Sequence, residues 1–248
     1  MKKSIALASV LVAGSLAGTA AAKVPEAQTN RLGNDLTPIG AEKAGNGGDI
    51  PAWTGGLTSV PDNVKGEYKA GELMPNPFAG DQPKLEITSA NMGQYSDKLT
   101  EGYKALLTTY PDYKMKVYQT RRTCAYPEFV YEATKRNAQV AELTPGGNGV
   151  SEGIMGFPFP IPNNALEVIW NHTLRYRAFK LTREFTAAPV TRSGEYELQT
   201  VQDEAILQWS DPSKKRAEEL NNISLYYIAN TVAPARSAGS VILVHETL

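Results

Sequence analysis

The fold is decided by the stretch Phe179-Lys180-Leu181-Thr182-Arg183-Glu184-Phe185-Thr186-Ala187, in which polar residues alternate with a mainly apolar set. A period of two predicts a β-strand with one apolar face. Three further strands are predicted at residues 195–209, 223–232 and 241–247, joined by short turns. Consecutive strands with short connections favour an antiparallel meander. The apolar phase slips within the second of these four strands, which predicts a β-bulge near residues 202–204.

Three helices are predicted ahead of the strands. Apolar residues recur at spacings of three and four from residue 89 to residue 110, where Pro111 ends the pattern. A less regular helix is predicted over residues 127–143. A third follows Asn164, because Glu167 three residues later completes a capping box.

These elements predict an α+β fold with a curved antiparallel sheet. Residues 23–87 are rich in Gly and Pro and are expected to form an extended segment that wraps the scaffold. Residues 88–248 are expected to hold the helices and the meander. The last strand, with its Val241-Ile242-Leu243-Val244 core, is apolar and ends the sequence, and an uncovered apolar edge invites aggregation. The sequence therefore predicts a fragment, the N-terminal part of a longer protein.

The N-terminus predicts a secretory signal peptide over residues 1–22. Lys2 and Lys3 precede an uncharged, mostly apolar run, and Ala20-Ala21-Ala22 supplies the small residues of a cleavage site after Ala22. No cysteine stands directly after the run, so no lipid attachment site is expected. A basic region this short favours a bacterial periplasmic protein. No later window is long and apolar enough to span a membrane.

Composition excludes several classes of function. The chain has 25 Lys and Arg against 26 Asp and Glu, which argues against a nucleic-acid partner. With two histidines and one cysteine, no metal site and no cofactor are expected. Cys124 is expected to be a small buried side chain, and His172 a half-buried one on an apolar helix face.

One motif suggests an enzyme. Gly149-Val150-Ser151-Glu152-Gly153 matches the nucleophile elbow G-x-S-x-G, which requires a strand before the serine and a helix after it. Prolines at 158, 160 and 162 forbid that helix, so a serine hydrolase at Ser151 is the weakest of the functional hypotheses.

Four separated motifs resemble a known family: Leu36-Thr37-Pro38-Ile39-Gly40-Ala41-Glu42-Lys43-Ala44-Gly45-Asn46, Ile50-Pro51-Ala52-Trp53-Thr54-Gly55-Gly56, Phe157-Pro158-Phe159-Pro160-Ile161-Pro162 and Trp170-Asn171-His172. Together they are similar to a domain-of-unknown-function family of secreted proteobacterial proteins that resembles outer-membrane lipoprotein-sorting proteins. The resemblance implies a fold like that of LolA and LolB, an incomplete β-barrel with helices in its mouth. It also implies lipid or lipoprotein traffic beside exporters of the resistance-nodulation-division superfamily. It supplies no catalytic residue, and the family's longer members agree with the fragment prediction.

We therefore predict a periplasmic carrier that holds lipid-like or lipoprotein acyl cargo in an apolar cavity. The candidate cavity residues are Phe157, Phe159, Ile161, Trp170, Phe179, Leu181, Phe185 and Trp209. The same residues could simply be core, and most of them are expected to be. The alternative function is an accessory or adaptor subunit of an exporter that binds no ligand of its own.

Overall fold

In the computed structural model, the four C-terminal strands form one antiparallel sheet in which each strand pairs with the next along the chain. The structure describes residues 24–69, 72–220 and 223–247, so the predicted signal peptide lies outside the described residues. The helices are α1 (Glu26–Thr29), α2 (Asp62–Lys65), α3 (Glu101–Thr109), α4 (Glu128–Val140) and α5 (Ala165–Thr173). The strands are β1 (Leu85–Ile87), β2 (Met115–Val117), β3 (Glu142–Leu143), β4 (Val150–Ser151), β5 (Lys180–Ala187), β6 (Gln199–Leu207), β7 (Ile223–Ala233) and β8 (Val241–Thr247).

The register of the large sheet defines two faces. Thr182, Glu204, Ile228 and Leu243 stand side by side across the four strands, and we call their side the Ile228 face. Their neighbours Arg183, Asp203, Ala229 and Ile242 form the next row. Because side chains alternate along a strand, that row lies on the opposite side, which we call the Asp203 face.

The meander confirms the strand prediction, but the predicted bulge is misplaced. Thr200 pairs with Ala233 and Val201 pairs with Thr231, so the extra residue is Val232 on β7. Pairing of β5 with β6 is continuous through residues 202–204. The apolar phase slip has another cause, because residues 195–198 precede β6 and Trp209 lies in a 3₁₀ turn at Gln208–Ser210.

The first predicted helix is wrong as a single element. A 3₁₀ segment at Met92–Lys98 is separated from α3 by extended Leu99 and Thr100. The Thr100 hydroxyl accepts a hydrogen bond from the Tyr103 amide at 3.3 Å, so Thr100 caps a new helix within the apolar stripe. The capping box of α5 is confirmed, since Asn164 Oδ1 accepts from the Glu167 amide at 3.1 Å.

The two-stranded sheet of β1 and β2 packs on α3, which lies between these strands in the chain. Ile87, Leu99 and Leu107 form a buried cluster, and the partly buried side chains around it are Leu85, Met92, Tyr95, Met115 and Val117. The fold is thus a mixed α+β arrangement whose antiparallel sheets do not close into a barrel. Within the described residues, no helix combines the length and apolarity that crossing a membrane requires.

Candidate functional site

The structure distributes the eight predicted cavity residues over four places. Phe157, Phe159 and Ile161 lie in the loop between β4 and α5, and Trp170 lies on α5. Phe179, Leu181 and Phe185 share one side of the sheet by alternation, and Trp209 lies at the end of β6. The structure does not gather the eight in one of the clefts described below, so their contact with a ligand stays a prediction.

The loop from Glu152 to Phe159 is tied closely to α4. Asn137, which is 0% exposed, donates through Nδ2 to the carbonyls of Ile154 and Met155 at 3.0 and 2.7 Å. Its Oδ1 accepts from the Ile154 amide at 3.1 Å. The Thr134 hydroxyl accepts from the Phe157 amide at 3.1 Å. Backbone polar groups of this loop therefore find partners on the helix, which fixes the path of the loop.

Trp209 and Asn171 hold the same loop from the other direction. The Trp209 indole donates to the Gly156 carbonyl at 3.1 Å, and its own carbonyl accepts from the Met155 amide at 2.9 Å. Asn171 accepts from the Phe159 amide at 2.8 Å and donates to the Phe159 carbonyl at 2.6 Å. These contacts give Trp209 a clear structural role, the packing role that the sequence left open.

A buried carboxylate lies on the Asp203 face. Asp203 is 1% exposed and receives two bonds from Arg183, Nε to Oδ1 at 3.0 Å and an Nη to Oδ2 at 2.5 Å. The Tyr227 hydroxyl donates to Oδ2 at 3.1 Å. The hydrogen bond from Arg183 lowers the pKa of Asp203, whereas burial, followed by Asp203 itself, raises the pKa of Tyr227. The carboxylate is thus held ionised and fully engaged, which makes it a structural anchor of this face.

The Ile228 face carries an open cleft of about 360 Å³. Residues from all four strands line it. Eight belong to the Ile228 face by alternation: Lys180, Thr182, Glu204, Ile206, Tyr226, Ile228, Leu243 and His245. The other three, Leu181, Ala205 and Tyr227, belong to the Asp203 face. Ile206, Ile228 and Leu243 supply an apolar centre, while Lys180 and Glu204 place one charge of each sign beside it. The Tyr226 and His245 rings meet edge to face with centroids 4.9 Å apart. Such an apolar centre with few polar groups is typical of sites for small amphipathic molecules.

Cys124 is exposed, which corrects the expectation of a buried side chain. It lines a smaller cavity of about 240 Å³ together with Trp53, Tyr126 and Tyr131. The Trp53 indole donates to the Cys124 carbonyl at 3.0 Å. Burial raises the pKa of Tyr126. His172 is also exposed, on α5, although a half-buried position was expected.

Ser151 does not occupy a nucleophile elbow. It lies on the two-residue strand β4, and its hydroxyl is 3.5 Å from the Glu142 carbonyl, to which it donates. No helix begins between Ser151 and Ala165, so the serine lacks the helix that positions the nucleophile in that motif. In the described ranges, no group of three or more His, Cys, Asp and Glu side chains is placed to hold a metal ion.

Comparison with known proteins identifies the family but no function. The model of the family described as "Protein of unknown function (DUF1329)" matches residues 86–248. The chain is 43% identical over 241 residues to the uncharacterized protein PA3922 of Pseudomonas aeruginosa. The aligned residues cover 96% of this chain and 52% of the relative. The chain therefore spans about half the length of that relative. No solved structure matches it significantly.

Proposed function

The chain belongs to the DUF1329 family, whose matched region contains the whole four-stranded sheet, and we propose that this sheet binds lipid-like or acylated cargo. The cleft on the Ile228 face carries the proposal. Its apolar centre crosses three neighbouring strands, and Leu243 on the outermost of them is 65% exposed. Large apolar side chains left open to water in a concave surface favour an apolar ligand.

The energy of such binding requires no reactive group. Each buried methylene contributes about 0.8 kcal/mol. An acyl chain that buried about ten methylenes would gain about 8 kcal/mol before the costs of ordering and association. Association itself costs about 4 kcal/mol or more, so at most about 4 kcal/mol remains, which corresponds to weak and reversible binding with a Kd of about 1 mM.

Three finer parts of the proposal go beyond the cleft itself. The N-terminal pattern of residues 1–22 supports export to the periplasm. The resemblance to lipoprotein-sorting proteins supports a sheet of the LolA/LolB kind. The exposure of β8 and the greater length of the Pseudomonas relative support a longer protein in which further strands extend this sheet.

A second candidate function is an adaptor that docks on a membrane exporter. The observation in its favour is β8, which is the last strand in the order of the sheet and therefore offers backbone donors and acceptors to a partner strand. An adaptor would use this edge, whereas a carrier would use the Ile228 face. The two functions are therefore separable by mutation.

Two adjacent residues of β8 provide a matched test. Leu243 belongs to the Ile228 face, while Ile242, which is 61% exposed, belongs to the Asp203 face. We would measure the binding of a fluorescent 16-carbon fatty acid, and its displacement by palmitate, for the unchanged protein, Leu243→Asp and Ile242→Asp. A carboxylate in the cleft must be desolvated by the acyl chain, so Leu243→Asp should weaken binding at least about tenfold. Ile242→Asp places the same charge on the same strand and should leave binding within about twofold.

The outcomes decide between the functions. Selective loss in Leu243→Asp supports the carrier. Equal loss in both variants indicates that β8 itself matters, and absence of binding by the unchanged protein together with capture of an exporter supports the adaptor. Either of the last two results removes the Ile228 face as the cargo site.

A further inference from the structure

A second cleft lies away from the sheet, between α4 and the turn at residues 211–215. It has a volume of about 440 Å³ and shares no lining residue with the cleft on the Ile228 face. Its lining comprises Phe129, Glu132, Ala133, Arg136, Ile154, Met155, Pro212, Lys214 and Lys215. We propose that this cleft, called the α4 cleft, binds a small amphiphile through a single anionic group, a carboxylate or a phosphate. This goes beyond the proposed function, because it assigns a separate site with its own ligand chemistry.

The charges around the α4 cleft favour an anion. Arg136, Lys214 and Lys215 face one carboxylate, that of Glu132. The nearby Asp211 is buried, and its Oδ1 accepts bonds from the amide and hydroxyl of Ser213 at 2.9 and 2.7 Å. Among the residues that line the cleft, three cations stand against one carboxylate, although the whole chain has a formal charge of −1. Glu219, outside the lining, accepts a hydrogen bond from the Lys215 amide at 3.4 Å. A concave surface lined by one sign of charge concentrates ligands of the opposite sign.

Arg136 is positioned for binding by neutral partners. Its guanidinium donates to the Lys215 carbonyl at 2.7 Å and to the Glu152 carbonyl at 3.1 Å. Backbone carbonyls carry no net charge, so these bonds orient the guanidinium without cancelling its positive charge. They also join the two walls of the cleft, since α4 bears Arg136 and the 211–215 turn bears Lys215. A guanidinium fixed in this way recognises a carboxylate or phosphate with little loss of side-chain entropy.

The floor of the α4 cleft is apolar. Ile154 and Met155 are almost fully buried, and Ala133 and Pro212 continue the surface. Phe129 stands at its margin, exposed, with its ring edge to face against Tyr176 at 5.7 Å. A cationic side next to an apolar floor matches a ligand that has an anionic end and an apolar body. A free inorganic anion would leave the floor unused.

The floor of the α4 cleft is fixed by hydrogen bonds within the protein. Glu152 and Met155 adopt positive φ angles of 60° and 55°, a conformation that costs free energy for residues other than glycine. Asn137 and Trp209 hold the backbone between them through the hydrogen bonds described above. Strain of this kind persists only where the surrounding structure enforces it, and it is common in ligand clamps.

Calorimetry with decyl phosphate, decanoate, inorganic phosphate and decyltrimethylammonium tests the proposal, each organic probe being kept below micelle formation. The two anionic amphiphiles should bind, while inorganic phosphate should bind at least about tenfold more weakly because it lacks the apolar body. The cationic amphiphile should not bind measurably. Binding should weaken as salt is raised, because the cations are partly exposed.

Two lysines provide a matched pair of variants. Lys214 lines the α4 cleft, whereas Lys135 is an exposed residue of α4 outside that lining. Lys214→Glu should weaken decyl phosphate binding about tenfold or more, and Lys135→Glu should change it less than about threefold. Because the cleft on the Ile228 face is itself proposed to bind acyl chains, all of these titrations are carried out in the Leu243→Asp background, so that they report on the α4 cleft.

Three results would overturn the proposal. They are equal binding of the cationic and anionic amphiphiles, equal affinity for inorganic phosphate and decyl phosphate, and equal loss in the two lysine variants. Circular dichroism of both variants checks that they remain folded. If Lys214→Glu unfolds, Lys214→Gln removes the charge at nearly constant size and should still weaken binding about fivefold.

Discussion

Replacing Asn137 with alanine should be one of the most damaging single changes in this protein. The side chain is 0% exposed and satisfies the Ile154 amide together with the carbonyls of Ile154 and Met155. A third carbonyl, that of Phe157, lies 3.2 Å from the same Nδ2. Alanine can reach none of these groups, so the variant leaves one donor and at least two acceptors in the interior without their partner.

The magnitude follows from the cost of unpaired buried groups. Each buried donor or acceptor that loses its partner costs about 1–3 kcal/mol. Because water can enter the space vacated by the amide and the loop can relax, the costs do not simply add. We expect a loss of about 3–5 kcal/mol in the free energy of unfolding, a large part of the 5–15 kcal/mol that is typical of proteins.

Urea unfolding, followed by circular dichroism and by tryptophan fluorescence, measures this loss. Asn63→Ala is the matched control, because exposed Asn63 donates one bond, to the Pro77 carbonyl at 2.9 Å. The control should lose less than about 1 kcal/mol. If Asn137→Ala lost no more than Asn63→Ala at equal m-values, the loop would not depend on Asn137 and the account of a prebuilt floor would fail.

Three further predictions concern other parts of the molecule. Arg183 lowers the pKa of Asp203, so the ionised form of Asp203 stabilises the fold above the ordinary aspartate pKa, and this contribution is lost as the pH falls. Asp203→Asn should therefore destabilise the protein most at neutral pH and progressively less below about pH 4. A difference in urea midpoints that does not depend on pH would contradict this. Gly156→Ala should lower the free energy of unfolding by about 2 kcal/mol or more, because φ is +61° and a Cβ would lie 2.3 Å from Thr134 Oγ1. An unchanged urea midpoint would show that the loop can move to accommodate the added methyl group. Because Cys124 is exposed, its rate of reaction with a thiol reagent in the native protein should be within about tenfold of its rate in urea. A native rate that is lower by several orders of magnitude would mean that the thiol is buried.

Much of the fold follows from local sequence patterns. The alternation of β5 and the capping box of α5 are local signals, and the structure contains both elements. The single helix over residues 89–110 was wrong because the apolar spacing continues through Thr100, where a side-chain cap competes with helix continuation. The misplaced bulge has a different cause. Val232 is unpaired because of how β7 meets β6, and a pattern on β6 alone carries no information about its partner.

The α4 cleft could not be predicted from the sequence. Arg136 and Lys215 are 79 positions apart, and each is an ordinary basic residue in its local context. Their meeting depends on the loop after β4, whose path is set by Asn137. An asparagine in a helix usually indicates an exposed or weakly helical position, so its burial gives no advance signal. The G-x-S-x-G match lies beside this loop, but the motif predicts a nucleophile and not a binding surface. In the structure, the distinctive feature of this stretch is the positive φ of Glu152.

The choice between the two faces of the sheet shows why alternation alone does not locate a binding surface. On β5 the odd-numbered residues other than Arg183 are apolar, and Phe179 precedes them with the same spacing, which led to Phe179, Leu181 and Phe185 as candidates. On β8 four consecutive residues are apolar, so that strand favours neither face. The deciding residue is Asp203, because its buried carboxylate is bonded to Arg183 and Tyr227. An acyl chain placed there would have to cover or displace a charged hydrogen-bonded group, whereas on the opposite face Ile206 and Ile228 present hydrocarbon to it directly. The physical cost of disturbing that pair therefore favours the Ile228 face as the side on which cargo would bind.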